Sequence, residues 1–196
     1  MPGVLIQFAH PALEKSRVNR VMLAAAQNVP GVTVNDLYEA YPDFDVDVDR
    51  EQDLLLRHDF ILLHHPFYWY SAPAMVKQWE DLVLEHGWAY GREGNALTGK
   101  HLMNVITTGG RAEAYRPEGH NRFTIRQFLV PFEQTARLCK MTYLPPFVVH
   151  GTHRLDGAGI EAAAERYRAL LTQLAAGLVP IDHTPDVFTN ETLSRP

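Results

Sequence analysis

The chain has 196 residues, 46% of them hydrophobic, long enough to bury roughly 70% of the surface its unfolded form exposes around one cleft-bearing core. Its 18 Lys and Arg stand against 23 Asp and Glu, a formal net charge of −5, which excludes the bulk positive field that would hold nucleic acid or an anionic membrane. A single cysteine, Cys139, excludes an internal disulfide and any multi-thiolate metal site and points to a reducing compartment.

In chain order, the apolar run Val4 to Ala9 reads as a first strand. It has no basic residues before it and is too short for a signal-peptide core, and no run reaches the ~18 residues of a spanning helix, so a cytoplasmic protein is expected. Ser16 can cap a helix over Ser16 to Asn28, where Val18, Val21, Met22 and Ala25 recur at helical spacing. Gly31 suits a turn into a second strand, Val32 to Tyr38. Six acids then fall between Asp43 and Asp53, opposed only by Arg50, so the acid excess reads as one local loop, a solvated linker or a docking surface. A helix over Asp49 to His58 leads to a third strand, Phe60 to His64, and Pro73 suits the first turn of a helix ending near Glu85. The polar connection Asn95 to Lys100 enters a fourth strand, His101 to Thr107. A helical stretch, Asn121 to Lys140, should kink at Pro131. The fifth strand spans Thr142 to His150, Gly157 reads as a turn or cap, and the last helix runs from Ile160 to Ala176. Residues 1–178 form one domain on this reading, and 179–196, with three prolines, an arm.

Strand and helix alternate five times, which predicts an α/β fold: a doubly wound five-stranded parallel sheet of order 2-1-3-4-5 in three layers. The chain reverses direction between strands one and three, and a ligand crevice is expected there, beyond the carboxyl ends of strands one, three and four. The loop after strand one holds His10, Lys15, Ser16, Arg17, Val18 and Asn19 and no glycine. A dinucleotide fingerprint and a Walker A loop are therefore excluded, and a helix N-terminus with hydroxyl, amide and cationic neighbours remains as an anion site. After strand three come Phe67, Tyr68, Trp69 and Tyr70, four consecutive aromatics that cannot all point inward and can stack on a planar ligand. After strand four, Thr107, Thr108, Gly109 and Gly110 offer hydroxyls beside exposed amides, and Tyr115 and His120 follow as a phenol and an imidazole for proton traffic. An anion site, an aromatic wall and a close-approach turn suit flavin mononucleotide, FMN.

The segments Ala9-His10-Pro11, Tyr41-Pro42-Asp43-Phe44, His65 through Pro73, His86 through Gly91, Ala96 through Lys100 and Thr107 through Gly110 resemble the flavodoxin-fold NAD(P)H:quinone oxidoreductases. The resemblance runs from residue 3 to about residue 177 and is strongest to the ancillary oxidoreductase subunits of bacterial glutathione-gated potassium-efflux systems. It implies that His10, Ser16, Arg17, Val18 and Asn19 hold the phosphate and ribityl end of a flavin. Phe67, Tyr68, Trp69 and Tyr70 would line the isoalloxazine, and Thr107, Thr108, Gly109 and Gly110 would meet its polar edge. Tyr115 and His120 would assist hydride transfer, although their spacing is one residue shorter than in the mammalian-type enzymes. The resemblance further implies FMN, with FAD as the alternative, NAD(P)H as co-substrate and a quinone as acceptor. A homodimer follows too, in which Trp88 and Tyr90 wall the partner's substrate pocket.

Ping-pong transfer over one open flavin face is the mechanism so implied, and docking on a potassium-efflux antiporter at the inner membrane is the competing role. A one-electron flavodoxin-type carrier is disfavoured by the moderate acidity and by Tyr115 with His120. Metal chemistry is disfavoured because His64 and His65 are adjacent and face opposite ways on a strand, while His150 and His153 lack a third ligand.

Overall fold

The computed structural model describes residues 2–178 and 188–189. Its strands are β1 (Val4–Phe8), β2 (Val32–Asp36), β3 (Phe60–Pro66), β4 (His101–Thr107), β5 (Thr142–Tyr143), β6 (Phe147–Val149) and β7 (Phe188–Thr189). Its helices are α1 (Arg17–Gln27), α2 (Leu37–Ala40), α3 (Val48–Arg57), α4 (Ala74–Val83), α5 (Ile125–Phe128), α6 (Val130–Leu138) and α7 (Gly157–Ala175). All strand pairs are parallel, in the order β2-β1-β3-β4-β6-β7, with β5 also on β4. This is the flavodoxin-like order expected from the sequence, extended by one edge strand. Residues 179–187 and 190–196 of the expected arm lie outside the described residues, and Phe188–Thr189 pairs with Phe147–Val148.

Side-chain alternation divides the interior between two faces. Val4, Ile6, Phe8, Leu62, Met103 and Val105 pack with α1 and α7 on one face, while Leu5, Ile61, Leu63, Leu102 and Ile106 pack with α3, α4 and α6 on the other. The three-layer expectation holds because each central strand is buried on both sides.

Several expected boundaries move, each for a local reason. The fifth strand is broken between Tyr143 and Phe147, where Pro145 and Pro146 lack the N–H groups a ladder needs. Strand β2 stops at Asp36, whose carboxylate caps Tyr38 and Glu39 and starts α2 instead. Pro73 is the N-cap of α4 rather than a residue of its first turn. The helical stretch expected from Asn121 starts at Ile125 after a Thr124–Gln127 capping box, and it divides at Leu129, beside the expected break at Pro131. Gly157 is not a turn residue: Asp156 caps the helix by accepting from Gly159, so α7 begins at Gly157.

The acidic stretch is also more than one loop. Asp47 caps α3, which carries Asp49, Glu51 and Asp53, and Glu51 is fully buried. Its carboxylate accepts from Gln7 at 2.7 Å, Asn35 at 2.9 Å, Tyr41 at 2.7 Å and the Trp79 indole at 2.9 Å, and Arg50 covers it at 2.5 Å. One side chain thus ties β1, β2, α3 and α4 together. Burial and the Glu51 hydrogen bond push the Tyr41 phenol up to about 12. Replacing Glu51 by Leu orphans several buried donors at once. Urea denaturation is expected to show a loss of about 3–5 kcal/mol, whereas the exposed Asp49→Asn should change stability by less than about 0.5 kcal/mol.

Candidate functional site

The reversal between β1 and β3 opens a cleft of about 440 Å³ at the carboxyl ends of β1, β3 and β4. Nine of the residues singled out in the sequence line it: His10, Ser16, Arg17, Val18, Asn19, Phe67, Tyr68, Thr107 and Gly109. Lys15, named there only as a charge, joins them with Thr152 and His153, and among the described residues no carboxylate lines the cleft.

One end is built from donors. Ser16 caps α1 by accepting from the Asn19 N–H at 3.2 Å, which leaves the first backbone N–H groups of the helix directed outward with its positive dipole end. Asn19, 3% exposed, donates through Nδ2 to Ser16 Oγ and Thr107 Oγ1, both at 3.0 Å. His10 Nδ1 accepts from the Ala12 N–H at 3.1 Å, so the neutral ring keeps its proton on Nε2. Burial lowers the His10 pKa against an opposing pull from Glu14. Arg17 is braced by donating to the Leu155 carbonyl at 3.0 Å, and neither it nor Lys15 has a carboxylate partner among the described residues.

The other end is aromatic. Phe67 is buried and meets the edges of Tyr70, Tyr115 and Phe128 at 6.3, 6.0 and 5.7 Å between centroids. Tyr70 stacks on Phe128 at 5.1 Å, and Tyr68 approaches His10 at 6.1 Å. Trp69 (φ 50°) and Tyr70 (φ 64°) both hold left-handed backbone, a costly state for large side chains that persists at sites where the surroundings enforce it. The turn leaves Trp69 93% exposed. Phe128 was missed because it sits in a helical stretch, where an aromatic at helical spacing reads as core.

The turn after β4 packs Tyr115 against Phe67, behind the residues that line the cleft, and leaves His120 exposed. A Cβ on Gly110 would lie 3.0 Å from the Tyr115 Oη, so glycine permits this close approach. Tyr115 stands 5.5 Å from His150, and burial raises its phenol pKa while Thr108 opposes the shift. Thr108 Oγ1 spends its proton on the Gly110 carbonyl at 2.8 Å, so His150 Nδ1, 3.2 Å away, is the donor of that pair. His150 is thus the imidazole beside the phenol, whereas His120 is exposed and absent from the cleft lining. The sequence named His150 only as a metal candidate. Trp88 and Tyr90 lie elsewhere: Tyr90 lines a groove between α4 and α6 with Glu80, Leu138 and Cys139, and Trp88 faces Asp47, Asp49 and Asp53.

His64 and His65 do face opposite ways, His64 toward Asn19 and His65 toward Asn104, and no group of metal-ligating side chains occurs among the described residues. No described helix is long and apolar enough to cross a membrane.

A family model described as "Flavodoxin-like fold" matches residues 3–171, and the chain belongs to that family. It is 46% identical over 166 residues, 85% of this chain and 91% of the relative, to the "Glutathione-regulated potassium-efflux system ancillary protein KefG" of Pectobacterium carotovorum. Among solved structures it resembles general stress protein 14 of Treponema denticola in complex with FMN, with a TM-score of 0.83 and 38% identity over 88% of this chain and 99% of that one. An NADPH-quinone reductase from P. pentosaceus gives a TM-score of 0.77 and 38% identity over 88% and 97%.

Burial holds three histidines neutral in the folded chain, lowering His64 to about 3, His65 to about 4 and His150 to about 4. The unfolded chain protonates them near the usual 6.5, so it binds more protons between those values, and stability falls as pH falls from 6.5 toward 4. Urea denaturation at about pH 7 and about pH 4.5 should show this loss. In His150→Asn the slope near pH 5 should be shallower by about 1.4 kcal/mol per pH unit.

Proposed function

We propose that the protein is an FMN-dependent oxidoreductase that uses NAD(P)H to reduce quinones by two electrons. The observation that carries this reading is the polarity of one cleft: hydrogen-bond donors and cations at one end, an aromatic wall at the other, and no acid between them among the described residues. Lys15, Arg17, Ser16 and Thr107 fit a flavin phosphate, since every group offered is a cation or a donor, and Asn19 holds the two hydroxyls from beneath. Phe67 and Tyr68 fit the flat ring, and the backbone at Gly109 fits its polar edge. A flavin held by these residues would supply hydride chemistry between NAD(P)H and a quinone, and the single open face of the cleft fits a ping-pong order for the two.

The chain's own residues bind and orient the reactants. Tyr115, a neutral phenol that burial moves further from ionising, donates a hydrogen bond toward the reacting end. Exposed Tyr68, Trp69 and Tyr70 beside the cleft fit a homodimer in which Trp88 and Tyr90 of a second copy complete the substrate wall. Heat release of the bound chromophore is expected to yield FMN by chromatography, and initial rates with NAD(P)H and a benzoquinone should give parallel reciprocal lines. Purified protein that carries no flavin and binds none on addition refutes the reading. Tyr115→Phe should lower kcat by about 10²-fold with flavin affinity unchanged.

A second role is favoured by the likeness to an ancillary protein of a potassium-efflux system. Asp43, Asp45, Asp47, Asp49 and Asp53 are all exposed around the α3 cap and fit a basic partner surface on a cytoplasmic antiporter domain. Co-purification with such an antiporter that is lost on Asp→Asn replacement of these five residues, with quinone reduction retained, is the expected result.

A further inference from the structure

The donor character of the phosphate end depends on which way one side-chain amide faces. Asn19 Nδ2 points to Ser16 Oγ and Thr107 Oγ1, and its Oδ1 lies 3.2 Å from His64 Nε2. In that orientation Ser16 Oγ accepts from both the backbone and the side chain of Asn19, so its acceptor sites are filled and its own proton points into the cleft. Thr107 Oγ1 likewise accepts from Nδ2, and its 3.5 Å separation from Oδ1 is too long to hold its proton. With the amide turned over, Oδ1 would draw both hydroxyl protons inward, and the wall would show lone pairs to an incoming anion.

His64 decides between the two. It is fully buried, and its Nδ1 has no hydrogen-bond partner among the described residues. Its ring stands edge-on to Phe8 at 4.9 Å and to Tyr167 at 5.2 Å. A buried N–H without an acceptor is costlier and rarer than a bare acceptor, so the single proton of the neutral ring sits on Nε2, where Asn19 Oδ1 receives it. Burial lowers the His64 pKa to about 3, which keeps the second proton off near neutral pH.

We propose that His64, beneath the cleft and out of reach of any ligand, is a positioning residue whose Nε2–H locks the Asn19 amide so that Ser16 and Thr107 donate into the cleft. That end is thereby made selective for a phosphate-type anion over the same ligand without its phosphate. The proposal rests on the reading of this end as the flavin phosphate site and deepens it.

Three probes test it on the full chain freed of flavin: inorganic phosphate, FMN and riboflavin. His64→Leu should weaken phosphate and FMN binding about tenfold, equivalent to about 1.4 kcal/mol, and leave riboflavin within about twofold. His64→Gln, whose side-chain amide can donate to Asn19 in the same way, should restore both. Unchanged phosphate affinity in His64→Leu overturns the proposal, as does an equal loss of FMN and riboflavin, which marks general loosening. If the wild-type chain binds phosphate but neither flavin, the oxidoreductase reading falls and this one stands; if it binds no phosphate, this one falls. A direct measurement needs no variant: long-range ¹H–¹⁵N spectra of the wild-type chain should show the His64 proton on Nε2, and a proton on Nδ1 overturns the proposal.

Discussion

Strand β1 lies between β2 and β3, and from that placement the site follows. The connection through α1 turns to one face of the sheet and those through α3 and α4 to the other, because right-handed crossovers in opposite directions require opposite faces. The segments leaving β1 and β3 therefore diverge, and the space between them cannot be closed by the sheet itself. The cleft is what the topology leaves open, and its chemistry is whatever those departing segments carry.

Two buried polar centres hold this frame, one on each face. Glu51 gathers donors from β1, β2, α4 and the neighbouring loop, on the face opposite α1. Asn19 joins the start of α1 to the ends of β3 and β4, directly beneath the cleft. Both are costly to bury unpaired and specific when paired, so each restricts its elements to one mutual position. Glu51 secures the fold, whereas Asn19 also sets the direction in which two hydroxyl protons face. The aromatic turn adds a third restraint: Trp69 and Tyr70 accept left-handed backbone while Phe67 and Phe128 grip the Tyr70 ring.

Alternation of β-branched runs with amphipathic stretches was enough to locate the strands, since a strand buried on both faces must be continuously apolar, and the doubly wound pattern that such alternation suggests supplied their order. His101 to Thr107 matches β4 at both ends. The fifth strand did not, because periodicity registers side chains and is blind to the missing N–H groups of Pro145 and Pro146. The acidic stretch misled for a related reason: its charges alternate along the chain, and composition does not show that Glu51 alone turns inward to five donors. At the cleft, residues adjacent in sequence to β1, β3 and β4 were legible, while Thr152 and His153, and Phe128 packed behind Phe67, come from segments distant in sequence.

The sequence by itself determined the strand order, the place of the crevice and the kinds of residue on its three lips, because these follow from local periodicity and chain connectivity. Only the tertiary structure decided which imidazole stands beside Tyr115, through the 5.5 Å approach of His150 across the sheet's end. It also decided how the donors at the polar end of the cleft are aimed, because a hydroxyl's direction depends on partners such as Asn19 and His64, 45 positions apart in the chain. Hydrogen-bond polarity is a property of the packed network, and no single segment carries it.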